Sequence, residues 1–128
     1  MTYYPDLAPC DYFDQDNLIA VGWLDAAHEF PKGTLAPERY RLLADSLAQG
    51  CMFQPMISPG LHSCELCDER HLGANNLFVP DGDRCFIVPE LVLHYIRDHA
   101  YLPPDELFVA LDKCPPFGSD AYIAALPR

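Results

Sequence analysis

GLHSCELC (residues 60–67) and VPELVLHYIRDH (residues 88–99) decide how this chain is read. Cys64 and Cys67 form a C-x2-C pair. His94 and His99 form an H-x4-H pair after a spacer of 26 residues. Two thiolates and two imidazoles are the donors that hold Zn²⁺ in tetrahedral sites. The C-x2-C turn brings both thiolates to one point, and a bound Zn²⁺ keeps them deprotonated at neutral pH. The histidines need a rigid element, and a helix predicted over 89–99 supplies one. Positions i and i+5 of an ideal helix lie about 140° apart. Both rings therefore reach one ion only if His99 sits where the helix loosens, and the following Ala100–Pro104 (AYLPP) provides that end. Common zinc fingers carry about 12–15 residues between their pairs. The longer spacer has room for a β-hairpin, giving the order knuckle–β–β–α.

The expected ligand set is Cys64, Cys67, His94 and His99. His62 stands two residues before Cys64 and on an extended backbone points to the same side. It is the reserve ligand, or alternatively a donor to a ligand or a general base. His71, after the knuckle, reads as solvent-exposed, and Cys85 as a spare thiol. Four protein ligands leave no open coordination position, so the Zn²⁺ is expected to be structural. A packed or redox Cys64–Cys67 pair is the competing reading. It is disfavoured because a thioredoxin-like C-x-x-C belongs to a βαβ pattern, which is absent around it.

Working outward, Asn76–Pro80 and Arg84–Val88 are short β-prone runs around Asp81-Gly82-Asp83, a hairpin signal. Pro89 sits where a helix can begin. Residues 104–113 and the SDAYIAAL segment, with Ser119 as a cap, read as two further helices. Towards the N-terminus, Leu18–Leu24 (LIAVGWL) reads as a buried strand with Trp23 as a core anchor. His28–Gly33 (HEFPKG) reads as a turn. Residues 35–49 read as a helix capped by Thr34 and stopped by Gly50 at C′. Residues 1–17 are aromatic and acidic, and are expected to form an ordered arm over the core. Residues 51–61, with Pro55 and Pro59, are an extended connection rather than a regular strand.

The fold expected is α+β, one domain over 1–128. Residues 1–57 form an arm, strand and helix, residues 58–114 the zinc-knuckle core, and residues 115–128 a C-terminal segment. The formal charge of −11, from 8 basic and 19 acidic residues, disfavours nucleic acid and anionic membranes. A basic protein is the better partner. Carboxylates that could face it are Asp11, Asp14, Asp16, Asp25 and Glu29, or Glu65, Asp68 and Glu69. No secretory signal or membrane-length apolar run is visible, so a cytoplasmic location is expected. In that reducing compartment Cys10, Cys51, Cys85 and Cys114 read as small buried residues rather than disulfide partners.

The pieces MTYYPDLAPCDYF (1–13), VGWL (21–24), HEFPKG (28–33), GLHSCELC (60–67) and VPELVLHYIRDHAYLPPDELFVAL (88–111) resemble a family of small bacterial proteins, frequent in soil actinobacteria, that carries no assigned activity. The resemblance implies a metal-binding core of G-x-H-x-C-x-x-C and H-Y-x-x-x-H, carried here by His62, Cys64, Cys67, His94 and His99. Three functions follow as expectations. The first is a zinc-stapled protein-interaction module of the immunity, antitoxin or adaptor kind. The second is a zinc-dependent hydrolase with Glu65 or Glu90 as base. It lacks H-E-x-x-H, the deaminase H-x-E…P-C-x-x-C, G-x-S-x-G and phosphate-binding loops. The third is a zinc finger for nucleic acid, whose helix would bring only Arg97 against Glu90 and Asp98.

Overall fold

In the computed structural model, residues 3–13, 15–51, 62–67, 72–73 and 75–127 are described, save the side chains of His62 and Leu72. The elements are β1 (Leu18–Ala20), α1 (Pro37–Gly50), β2 (His62–Ser63), β3 (Leu72–Gly73), β4 (Asn76–Asp81), β5 (Arg84–Pro89), α2 (Val92–His99), α3 (Asp105–Lys113) and α4 (Asp120–Ala125). The architecture is α+β, as expected.

The centre is the β4–β5 hairpin. Its antiparallel register pairs Asp81 with Arg84, leaving Gly82-Asp83 as a two-residue loop. Gly82 has φ +66°, the left-handed value that the first position of such a loop needs and glycine adopts at no steric cost. β1 then joins the far edge of β5 in parallel, with Leu18 opposite Cys85 and Ala20 opposite Ile87. The sheet is therefore mixed, in the order β1-β5-β4.

Side chains alternate across the pleat. Leu77, Val79, Phe86 and Val88 join Leu43 and Leu47 of α1, Tyr95 of α2 and Leu107 and Phe108 of α3 in one core. Phe78, Cys85 and Ile87 join Leu18, Ala20, Trp23 and Tyr122 on the other face. Both faces are buried, which explains why β4 and β5 read as continuous apolar runs. Trp23 donates its indole N–H to the Ile87 carbonyl at 3.1 Å, and the Tyr122 hydroxyl donates to the Phe78 carbonyl at 2.7 Å. Each large ring thereby spends its polar atom on the sheet it covers.

The described residues of the N-terminal arm pack on the sheet as expected. The amides of Leu7 and Cys10 donate to the carbonyls of Ala20 and Leu18, and the Ala20 amide donates to Ala8. The arm covers the free edge of β1, which would otherwise expose unpaired backbone.

Several boundaries differ from expectation. β1 stops at Ala20 instead of Leu24, because Gly22 turns the chain with φ +81°. α1 starts at Pro37 behind Ala36, which makes no side-chain cap, so Thr34 does not cap it. Pro89 closes β5 and does not open a helix; α2 begins at Val92. α3 and α4 lie close to expectation, and Ser119 accepts from the Tyr122 amide at 3.2 Å. Of the connection expected over residues 51–61, Cys51 follows α1 as its C-cap, and residues 52–61 lie outside the described residues.

Gly50 is the most instructive difference. It lies inside α1 and not in a left-handed C′ position. A Cβ there would run into Leu77 and approach Phe117 Cδ1 to 2.8 Å. Close approach of the helix to the sheet demands the glycine. Gly50→Ala gains about 1 kcal/mol of helix propensity but overpacks the core at a cost of about 1–3 kcal/mol. The expected outcome is a net loss of stability, read as a lower urea midpoint at unchanged m-value.

Candidate metal centre

Cys64 and Cys67 lie on the turn that leaves β2. The β2–β3 pair is short, with His62 opposite Gly73 and Ser63 opposite Leu72. His94 and His99 come from α2, whose Val92 and Tyr95 are buried in the core and fix the helix against the sheet. The four ligand atoms lie within 4.8 Å of one another, and the group could hold a metal ion such as zinc.

The separations allow a sharper comparison. Cys64 Sγ stands 3.7 Å from Cys67 Sγ. Cys64 Sγ to His99 Nε2 and Cys67 Sγ to His94 Nε2 are both 3.5 Å. A regular tetrahedron with Zn–S of about 2.3 Å and Zn–N of about 2.0–2.1 Å has S–S edges of about 3.8 Å and S–N edges of about 3.5 Å. Three of the six edges thus match a tetrahedral ZnS₂N₂ centre. The same sulfur separation is far beyond a disulfide bond of about 2.05 Å, and neither cysteine is in a disulfide.

Two contacts bear on the donors, one at Cys64 and one at His94. The Leu66 amide points at Cys64 Sγ from 3.4 Å, stabilising the thiolate. Burial pushes the Cys64 thiol up, the Leu66 amide draws it down, and neighbouring Cys67 raises it again. Two adjacent thiolates repel, and a cation between them removes that penalty. His94 Nδ1 is 2.8 Å from Asp98 Oδ2. With the Nδ1 proton donated to Asp98, Nε2 keeps its lone pair for a metal, the carboxylate–histidine arrangement common around zinc. The sequence reading missed Asp98. Its signal is the i, i+4 spacing from His94, which puts both on one helix face.

The end of α2 is built for His99. The amides of Ala100 and Tyr101 both reach the Tyr95 carbonyl, five and six residues back, instead of four. Ala100 is left-handed, with φ 56°. The last turn is wider than a regular α-turn, the loosening that an H-x4-H pair requires. It is held from outside by the HEFPKG segment. The Gly33 amide donates to the Ala100 carbonyl, and the Leu102 amide donates to the Pro31 carbonyl, both at 3.0 Å. The role of this segment in bracing the centre was not legible as more than a turn.

The remaining sequence candidates fall as follows. His62 is placed by its backbone in β2, but its side chain lies outside the described residues. His71, Asp14, Asp68 and Glu69 also lie outside them. Glu90 accepts from the backbone and side-chain nitrogens of Asn75 at 3.1 and 3.4 Å, an anchor on the loop before β4. Glu65 is exposed. Burial raises the thiols of Cys10, Cys51, Cys85 and Cys114, with Cys51 and Cys85 pushed up to about 12. They stay protonated at neutral pH and make poor competing ligands.

Among the described residues, no helix is long and apolar enough to cross a membrane. Neither the curated proteins nor the solved structures contain a match to the chain. A family match does exist, and it runs over residues 2–112, taking in the arm, both sheets, all four converging side chains and nearly all of α3. By that match the chain belongs to the family described as a domain of unknown function, DUF7919.

Proposed function

We propose that Cys64, Cys67, His94 and His99 bind one structural Zn²⁺, and that the domain it staples is a protein-interaction module. The tetrahedral fit of the S–S and S–N separations carries the metal reading. The donor set supports it, since two thiolates with two imidazoles favour zinc over hard cations. Four protein ligands complete the tetrahedron, so the ion has no position for water and works as a cross-link. The hydrolase alternative needs one ligand replaced by water and a free carboxylate beside it; the engagement of Glu90 by Asn75 speaks against that residue as base.

The interaction role rests on charge. An excess of 11 negative charges raises the encounter rate with a basic protein and lowers it with nucleic acid. A cytoplasmic setting fits cysteines that form no disulfide among the described residues. Metal analysis of the purified protein is expected to give one equivalent of zinc; protein purified without zinc, and unable to take it up, would overturn the reading. Capture of a basic partner should weaken between low and high salt, because screening removes the electrostatic attraction. Salt-insensitive capture would remove the charge argument.

Asp98 gives a graded test of the same centre. Asp98→Ala frees the Nδ1 side of His94 and is expected to lower zinc affinity about 10–100-fold. Competition against a chromophoric chelator reads that change directly. An unaltered affinity would mean that Asp98 does not orient the ligand.

A further inference from the structure

We propose that the cleft between the first half of α1 and the last turn of α2 binds a small amphipathic carboxylate. Leu35, Pro37, Tyr40, Arg41, Ala44 and Arg97 line it as an open groove of about 500 Å³, within the usual size range of ligand sites. Its walls are apolar, yet two guanidinium-bearing side chains and no acidic one border it. That is unexpected in a chain with 8 basic and 19 acidic residues. Other described arginines are engaged. Arg39 meets Asp105 at 2.6 Å, and Arg84 meets Asp81 at 3.0 Å. The Arg41 guanidinium makes no ion pair or hydrogen bond with the described residues. Arg97 approaches Asp98 only at 3.7 Å, through Nε, which leaves its terminal nitrogens available.

The pairing of chemistries identifies the ligand. Leu35, Pro37, Ala44 and the Tyr40 ring offer contact to a hydrocarbon body. Planar guanidinium forks match a carboxylate through parallel N–H···O bonds. A neutral lipid-like molecule would leave both cations unused, and a bare inorganic anion would leave the apolar wall unused. Arg41 stands on α1, which carries none of the four converging side chains, whereas Arg97 stands beside Asp98 on α2.

Titration of the zinc-loaded, ¹⁵N-labelled protein with octanoate tests it, with 1-octanol, octylamine and inorganic phosphate as matched probes. Octanoate is expected to produce saturable shifts confined to residues 35–44 and around Arg97, with no comparable shifts from the other three. Arg41→Ala should weaken octanoate at least about tenfold at unchanged zinc content and melting temperature, and Arg41→Lys should restore part of the affinity. Equal binding of octanol, equal binding of phosphate, unchanged affinity in Arg41→Ala, or the absence of saturable shifts in the cleft would each overturn the proposal.

Discussion

Removing zinc with a strong chelator is expected to lower the melting temperature by about 20 °C or to abolish the cooperative transition. Structural zinc contributes about 10–16 kcal/mol of apparent binding energy in small zinc domains, against a total stability of about 5–15 kcal/mol for an ordinary domain. This chain has an apolar core on both faces of its sheet, so part of its stability would not depend on a metal. A loss of about 5 kcal/mol at about 4 °C per kcal/mol gives the shift quoted. The β2–β3 pair is two residues long on each strand, too short to persist without support. The knuckle should therefore be released first, exposing Cys64 and Cys67 to thiol reagents before the sheet melts. Cys64→Ser and His94→Ala should reproduce the chelated protein. Loss of zinc with an unchanged melting temperature would sink the structural reading and would instead suit a metal held for chemistry.

The centre was legible because its information is local. A C-x2-C turn and an H-x4-H helix each converge by short-range geometry, and the need for His99 to sit at a loosened helix end followed from the helical angle alone. The widened turn at Ala100 meets that need. The β4–β5 hairpin was legible for the same reason, through Asp81-Gly82-Asp83. The long-range contacts were not. Nothing in Leu18–Leu24 says that it pairs in parallel with Arg84–Pro89, and nothing near Gly22 shows that the strand ends there. Gly50 was legible as a helix-terminal residue by propensity. Its real constraint is the proximity of Leu77 and Phe117, which no local pattern contains. Pro89 likewise satisfies the rule for a helix start, yet it ends the strand, because the ladder between β4 and β5 extends through it. Asp6 belongs with these cases. Its position in an acidic, proline-punctuated arm gives no hint of its partners.

Asp6→Ala is expected to be among the most destabilising single substitutions outside the metal centre, at about 2–4 kcal/mol. Asp6 Oδ1 accepts from the Gly22 amide at 3.0 Å, and the Tyr101 hydroxyl lies 2.8–2.9 Å from both carboxylate oxygens. Tyr101 is fully buried and follows His99 by two residues, so one carboxylate ties the arm to the end of β1 and to the segment that braces the metal centre. Alanine strands two donors, each costing about 1–3 kcal/mol when buried without a partner. Asp6→Asn keeps one acceptor and should cost less. Tyr101→Phe should cost less in the Asp6→Ala background than in the wild type, because the two side chains share one interaction. Additive losses would mean that they do not.

The pH dependence of this latch has a definite sign. Burial holds the Asp6 carboxyl above the ordinary aspartate range, against the smaller lowering by the Gly22 amide and the Tyr101 hydroxyl. The folded state therefore binds this proton more tightly than the unfolded state does. The contribution is complete below the ordinary aspartate pKa of about 3.9 and is lost as pH rises through the folded value. Wild type should accordingly gain stability relative to Asp6→Asn as pH falls from neutral towards 4, measured by urea unfolding of both proteins at each pH. Taking the difference cancels any acid effect on the Cys64/Cys67/His94/His99 cluster that both proteins share. A difference that stays constant across that window would show that the buried carboxyl carries no elevated pKa, and that the latch works by hydrogen bonding alone.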